Sequence, residues 1–168
     1  MSLIIGVSGK KGAGKDTVAT IIQSLYPCTF GRIGFATALK QEVAMATGRS
    51  VEFIERNKQN FRLILQGWGT DYRRKLCGEN YWVNVMEKAI QHMSRCDIIL
   101  IPDVRFQNEY DFVKRACGML IRVNRTGLVS DTHKSETELD NNTFDFTITN
   151  DDTLESLVEQ VKQIKITI

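Results

Sequence analysis

Leu3-Ile4-Ile5-Gly6-Val7-Ser8-Gly9-Lys10-Lys11-Gly12-Ala13-Gly14-Lys15-Asp16-Thr17 is the stretch that decides the architecture of this chain. Leu3 to Val7 is a short, apolar, partly β-branched run, which suits a buried strand better than a helix, and Ser8-Gly9 ends it. Beyond the glycines, Val18, Ile21, Ile22 and Leu25 recur at i, i+3, i+4 and i+7, the stripe of an amphipathic helix that Pro27 stops. Strand, glycine loop and helix follow one another directly. The loop fits the spacing G-x-x-x-x-G-K, with Asp16 where a hydroxyl is usual and Thr17 one position later. Gly9, Gly12 and Gly14, with Lys11 and Ala13 between them, let successive backbone amides turn inward around a phosphate chain. The helix start adds its positive dipole end and Lys15 a full charge.

Working outward, Ile98-Ile99-Leu100-Ile101 is a bare apolar run ended by Pro102-Asp103. Residues 119–123 read as a third strand and residues 144–149 as a fourth. Helical spacing joins Leu39, Val43 and Ala46 up to Gly48, and Ser50 caps a short helix from Val51. It also joins Phe61, Ile64, Leu65, Trp68, Tyr72 and Leu76 in one helix over 59–76, although Gly67 and Gly69 each cost about 1 kcal/mol against alanine. Trp82, Met86, Ala89, Ile90 and Met93 mark a further helix, and residues 108–116 another that Gly118 stops. In the last helix Asp152 and Glu155 form a capping box ahead of the stripe Leu154, Leu157, Val158, Val161 and Ile164. Uniformly apolar strands separated by helices imply an α/β fold, a parallel sheet covered on both faces. The polar stretch 126–142 has the length of a functional lid.

The 168 residues, 42% of them hydrophobic and 25% charged, make one domain's worth of globular protein. A formal charge of +2, from 22 Lys+Arg against 20 Asp+Glu, is too small to argue for nucleic acid, so anions must be bound by local placement. Cys28, Cys77, Cys96 and Cys117 lack metal-ligand or disulfide spacing and read as reduced core residues. The N-terminal apolar run is too short for a signal peptide or a membrane span, which points to a cytoplasmic protein with no membrane partner.

Asp103, delivered by an apolar strand to the end where ligands collect in open α/β sheets, can face phosphates and a metal; a turn or cap after Pro102 is the plainer reading. Arg105 follows two residues on, suited to a group-transfer site that must neutralise two phosphates. Asp16 is either a metal ligand or a helix-terminal charge, and Thr17 can donate to an α-phosphate. Arg125 ends the third strand where a lid arginine would reach over bound phosphates, with Arg122 as runner-up. Gln66 can read a base edge and Arg73 and Arg74 offer phosphate forks, of which one faces water. Trp68 and Trp82 continue apolar stripes and favour packing over base stacking. Asn150 either meets an adenine edge or is a turn residue, and His133 and Glu136 read as solvated lid residues.

The whole set resembles the deoxynucleoside monophosphate kinases of bacteriophages. It comprises the lysine-aspartate loop, Leu39-Lys40, Leu65-Gln66-Gly67-Trp68-Gly69-Thr70 with Arg73-Arg74, Trp82-Val83, Asp103-Val104-Arg105-Phe106-Gln107-Asn108-Glu109, Val123-Asn124-Arg125, His133-Lys134-Ser135-Glu136 and Ile148-Thr149-Asn150. The resemblance implies a three-layer α/β/α P-loop kinase core that transfers the γ-phosphoryl group of ATP, with Mg2+, to a deoxynucleoside 5′-monophosphate. It implies one domain over 1–168, with a helical acceptor-binding region over about 35–96 and a lid over about 125–143. Residues 9–17 would hold the ATP phosphates, and Asp16 and Asp103 would stand near the metal. Lys40, Gln66, Thr70, Arg73, Arg74, Trp82, Arg105, Asn108 and Glu109 would serve the acceptor, and Lys15, Asp103, Arg105 and Arg125 the transfer. Small nucleotides are the implied partners, and a homodimer is left open. The chain departs from the pattern at Ala36-Thr37-Ala38, where an aspartate is expected. A kinase of another phosphorylated metabolite, such as phosphomevalonate, and an ATP-hydrolysing switch module are the rival readings.

Overall fold

The structure, a computed structural model, describes residues 2–128 and 132–166. Along the chain run β1 (Leu3–Ser8), α1 (Lys15–Leu25), β2 (Phe30–Arg32), α2 (Phe35–Thr47), α3 (Val51–Arg56) and α4 (Arg62–Gln66). A π-helical stretch (Gly67–Arg74), α5 (Lys75–Cys77), α6 (Tyr81–Gln91), β3 (Ile98–Val104) and α7 (Gln107–Arg115) follow. β4 (Met119–Asn124), α8 (Lys134–Thr137), β5 (Phe146–Thr149) and α9 (Leu154–Lys162) complete it. They form two compact units, 34–91 and the remainder. Among the described residues no helix is long and apolar enough to cross a membrane.

The larger unit is built on a parallel sheet of order β2-β3-β1-β4-β5. β1 lies in the middle because its residues from Ile4 to Ser8 are all buried, which only a central strand permits. Side chains alternate across the pleat. Ile5, Val7, Ile98, Leu100, Ile121, Val123 and Ile148 join Val18, Ile22, Leu157 and Val161 of α1 and α9 in one core. On the opposite face Gly6 lies against Val113 of α7, which completes three layers.

β2 has only three residues around Gly31, too short an apolar run to show in the sequence pattern. β3 continues past Ile101 through Pro102 to Val104 instead of ending there. The β1–β3 register slips between Gly6 and Ser8, so Pro102 falls in an irregularity where its missing N–H costs no ladder bond. β5 starts at Phe146, two residues later than expected.

Local chemistry decides several further expectations. α9 is capped by the Thr153 hydroxyl, which accepts from Ser156 N at 3.3 Å, while Asp151, just upstream, accepts from Thr126 N at 2.7 Å. Neither Asp152 nor a box with Glu155 is the cap, and Leu154 is exposed. The helix expected over 59–76 is present from Arg62 to Cys77 as α4, the π-helical stretch and α5 in unbroken succession, the two glycines lying in the π segment. Gly69 is buried there against Leu39. The cysteines are free, and of the four expected in the core the half-buried Cys28 packs against it, Cys96 is half-buried, and Cys77 and Cys117 are exposed. Ser50 does cap α3, accepting from Phe53 N at 3.1 Å.

A Cβ on Gly6 would meet Leu120 Cδ2 at 2.8 Å, Val104 Cγ2 at 3.0 Å and Val113 Cγ2 at 3.2 Å. Gly6→Ala should therefore destabilise the protein by about 1–3 kcal/mol through overpacking. Each kcal/mol corresponds to a fall in melting temperature of about 2–4 °C at this chain length. A thermal melt that matched the parent would show that the α7 layer yields freely.

Candidate active site

The loop between β1 and α1 is shaped by glycines in the left-handed region, Gly12 at φ 81° and Gly14 at φ 98°. Gly14 has a second reason to lack a side chain, because the Asn150 amide occupies the space a Cβ would need. From there Asn150 Nδ2 donates to Ala13 O at 2.9 Å. The end of β5 is thus stitched to the loop. Ala13 is fully buried, Lys11 and Thr17 are exposed, and Asp16 lies in the first turn of α1.

Lys15 is only 8% exposed and folds over its own loop, donating to Gly9 O at 2.6 Å and Lys10 O at 2.8 Å. Burial, seconded by the positive charge of Arg105, lowers its pKa to about 8, against the opposing pull of Glu136, Asp103 and Asp16. Those groups mark a shared electrostatic neighbourhood. Asp103 sits near the C-terminal end of β3, as the strand reading placed it. Asp16 is held by Arg32, whose Nη2 donates to Oδ1 at 2.5 Å.

Arg105 reaches the same place. Its guanidinium pairs with Glu136 and donates to Ser135 O at 3.3 Å. Its backbone is fixed by Glu109, a buried carboxylate that accepts from Arg105 N at 2.8 Å and Phe106 N at 3.2 Å and so caps α7. Glu136 corrects the picture of solvated lid residues, since its side chain is 4% exposed and also accepts from Lys11 N at 2.7 Å. His133 caps α8, accepting from Ser135 N at 3.2 Å. The lid expected over 125–143 includes residues 129–131, which lie outside the described residues.

Of the two strand-end arginines, Arg122 is tied to Asp140 at 2.6 Å and donates to Ser8 Oγ at 3.3 Å. Arg125 is exposed and has no hydrogen bond or ion pair among the described residues. Both line a cavity of about 530 Å³ with Lys10, Asn124, Thr126 and Asp140.

The helical unit carries its own polar cluster, centred on Glu42 of α2. The carboxylate accepts from Arg73 Nε at 2.6 Å, Trp68 Nε1 at 2.9 Å and the Tyr81 hydroxyl at 2.5 Å. Burial pushes the Glu42 pKa up, but the hydrogen bonds from Tyr81, Trp68 and Arg73 outweigh it and the net shift is downward. The Arg73 guanidinium also lies over the rings of Tyr72 and Tyr81, at 5.2 and 5.1 Å. Arg74 is buried instead and donates to Glu79 O at 2.9 Å. Trp82 is a core residue whose Nε1 donates to Gly69 O at 3.0 Å. Lys40 pairs with Glu55. Gln66 ends α4 and Thr70 lies within the π-helical stretch, both half-buried, while Asn108 lies in the first turn of α7. Glu42, Tyr81, Arg32 and the burial of Glu136 were not legible in the sequence, because each depends on partners far away along the chain.

A central strand feeding a glycine loop, a buried loop lysine and an acid near the end of the adjacent strand together define a P-loop nucleotide-binding fold. Shikimate kinase from Acinetobacter baumannii, solved with shikimate bound, superimposes with a TM-score of 0.50 at 15% identity, over 97% of this chain and 92% of that one. That likeness concerns the fold alone. The model of the family described as Deoxynucleotide monophosphate kinase matches residues 36–161. A protein of Acanthamoeba polyphaga mimivirus assigned as such a kinase is 30% identical over 95% of this chain and 94% of its own. The deoxynucleotide monophosphate kinase of Enterobacteria phage T4 is 33% identical over 60% of this chain. The chain spans only 43% of that enzyme. The chain belongs to the deoxynucleotide monophosphate kinase family, and its reaction class is that of a nucleotide-phosphorylating kinase. The rival metabolite-kinase and switch readings find no support in these matches.

Between pH about 8 and the ordinary 10.5, the unfolded chain keeps a proton that folded Lys15 has lost. Folding stability from this group therefore rises with pH across that window, while the charge that would meet a phosphate disappears. Affinity for inorganic tripolyphosphate should fall as pH climbs above about 8, and Lys15→Arg, which keeps its charge, should bind more weakly but without that step. Calorimetric titrations across the window check this, and a parent protein with flat affinity would contradict it.

Proposed function

We propose that the two polar clusters divide the phosphorylation of a deoxynucleoside 5′-monophosphate by ATP between them. The observation that carries this reading is the convergence of Lys15, Arg105 and the Lys11 amide on one loop, three donors suited to one polyphosphate anion. Loop amides and Lys15 bind the β- and γ-phosphates, and Arg105 neutralises the transferred group as charge spreads over its oxygens. Arg125, exposed and without a partner among the described residues, closes over the same phosphates from the strand end. The cavity beside it receives the nucleoside part of ATP.

Asp103 and Asp16 are hard oxygen donors that fit Mg2+, an ion that keeps several waters and needs only one or two protein carboxylates. Held there, Mg2+ would offset the negative charge of the phosphates.

In the helical unit Arg73 supplies the fork for the acceptor phosphate, held by Glu42 and stacked between two tyrosines. Gln66 and Thr70, half-buried and near it in sequence, face the base and sugar. No general base is required, because the acceptor is already an anion at neutral pH and positioning suffices. Arg74 and Trp82 serve the packing of this unit rather than its ligand. Glu109 acts one step back, by fixing the backbone of Arg105.

Initial rates of ADP formation with a panel of ribo- and deoxynucleoside monophosphates test the reading. Turnover should require a deoxynucleoside monophosphate, and ATP consumption indifferent to every acceptor would sink it. Arg73→Ala should raise KM for the monophosphate about 10- to 100-fold, the loss expected of a charge-assisted hydrogen-bonding pair, and leave KM for ATP within about twofold. An equal rise in both constants would mean that Arg73 holds the unit together instead.

A further inference from the structure

Glu136 is the buried group that the transfer chemistry above leaves without a task. Its carboxylate is 4% exposed and lies on the phosphate loop itself, Oε2 accepting from Lys11 N at 2.7 Å and Oε1 paired with Arg105. It is also among the charges that oppose the lowering of the Lys15 pKa. A carboxylate shares with a phosphate group two charged oxygens that accept from amides and guanidinium forks. Its burial is tolerated because cationic partners and an amide meet it.

α8 delivers this carboxylate and is itself well anchored. His133 caps it, Lys134 pairs with Glu138 at 3.1 Å, and Glu138 Oε1 accepts from Gln107 N at 2.8 Å. Ser135 O adds a second contact to Arg105 at 3.3 Å. The contact is therefore part of a folded segment and not a chance reach of a surface side chain.

We propose that Glu136 is a positioning residue that stands in for a phosphate: it holds the Lys11 amide and Arg105 in their binding geometry until a nucleotide's terminal phosphate takes its place. The inference rests on the reading of this loop as the ATP site. A backbone amide has one hydrogen to give, so a phosphate that claims the Lys11 N–H displaces Glu136 Oε2 from it and with it α8. Displacement transfers Arg105 from the glutamate to the transferred phosphoryl group. The latch thus preserves a cationic site against collapse or self-repulsion, at the cost of competing with the ligand.

Calorimetric titration of tripolyphosphate, and of ATP with magnesium, into the parent, Glu136→Gln and Glu136→Ala tests this. Both variants should bind each ligand at least about fivefold more tightly, while their ligand-free melting temperatures fall. A merely structural glutamate would lower stability without improving affinity. Unchanged or weaker binding by the variants, with the parent binding normally, overturns the stand-in and leaves the ATP site intact. A parent that binds neither ligand overturns both. Hydrogen exchange on the parent keeps the proposal testable should the variants fail to fold. Saturating tripolyphosphate should speed exchange at the amides of Glu136 and Glu138, which now donate to His133 O and Lys134 O. Unaltered or slower exchange there would overturn it.

Discussion

Burying the ammonium of Lys15 is the constraint around which the larger unit is organised. An isolated buried cation is costly, and here the cost is met from the loop that carries it, by the carbonyls of Gly9 and Lys10, and from the negative charges of Glu136, Asp103 and Asp16. Those carbonyls turn toward Lys15 only because the backbone between them and the lysine takes a left-handed path at Gly12 and Gly14. The loop in turn keeps its place because β1 is central and its neighbours β3 and β4 end beside it. They bring Asp103 and Arg105 from one side and Arg122 from the other. Remove the sheet order and the acid, the guanidiniums and the lysine would have no common address.

The same logic explains how much could be read without a structure. The phosphate loop was legible because its chemistry is packed into nine consecutive residues whose types have one conformational use together. Asp103 was legible because an apolar strand must end somewhere, and in a parallel sheet its end is where ligands collect. β2 was not, since three residues around a glycine leave no periodicity to detect. Nor was Glu136, whose polar neighbours on the chain look like solvent-facing loop. Its burial is decided by Lys11 and Arg105, 125 and 31 residues away.

The Glu42 cluster was half legible for a related reason. Arg73 and Trp68 stood out as residue types, but the choice between Arg73 and Arg74 turned on a carboxylate from another helix. Glu42 gathers Arg73 and Trp68 from the π-helical stretch and Tyr81 from α6. The π segment matters here, since its wider turns change which residues share a face, so the 3.6-residue period used to read 59–76 found the helical run but assigned its faces wrongly through the middle. Trp82 shows the converse. Its apolar stripe placed it in the core, and the one polar atom it buries is met by Gly69 O, a backbone partner that no side-chain pattern could announce.

Both clusters hold a guanidinium by a carboxylate, and on the proposed reading each guanidinium is the fork that a phosphate would take. Arg105 has Glu136 and Arg73 has Glu42. A carboxylate fixes the planar fork, keeps it charged and limits the rotamer entropy left to lose when a ligand arrives. The two pairs differ in what a ligand must do. Glu42 has three donors from its own unit and can keep Trp68 and Tyr81 while Arg73 takes a phosphate with its remaining N–H groups, so this pair can persist through binding. Glu136 holds the Lys11 amide itself, on the proposed reading the group a phosphate would claim, so that contact would break. On the proposed reading the acceptor side is thus preorganised and the donor side is exchanged. That asymmetry suits a transferase, because the site that handles the reactive phosphate changes partners only when the phosphate is there to replace them.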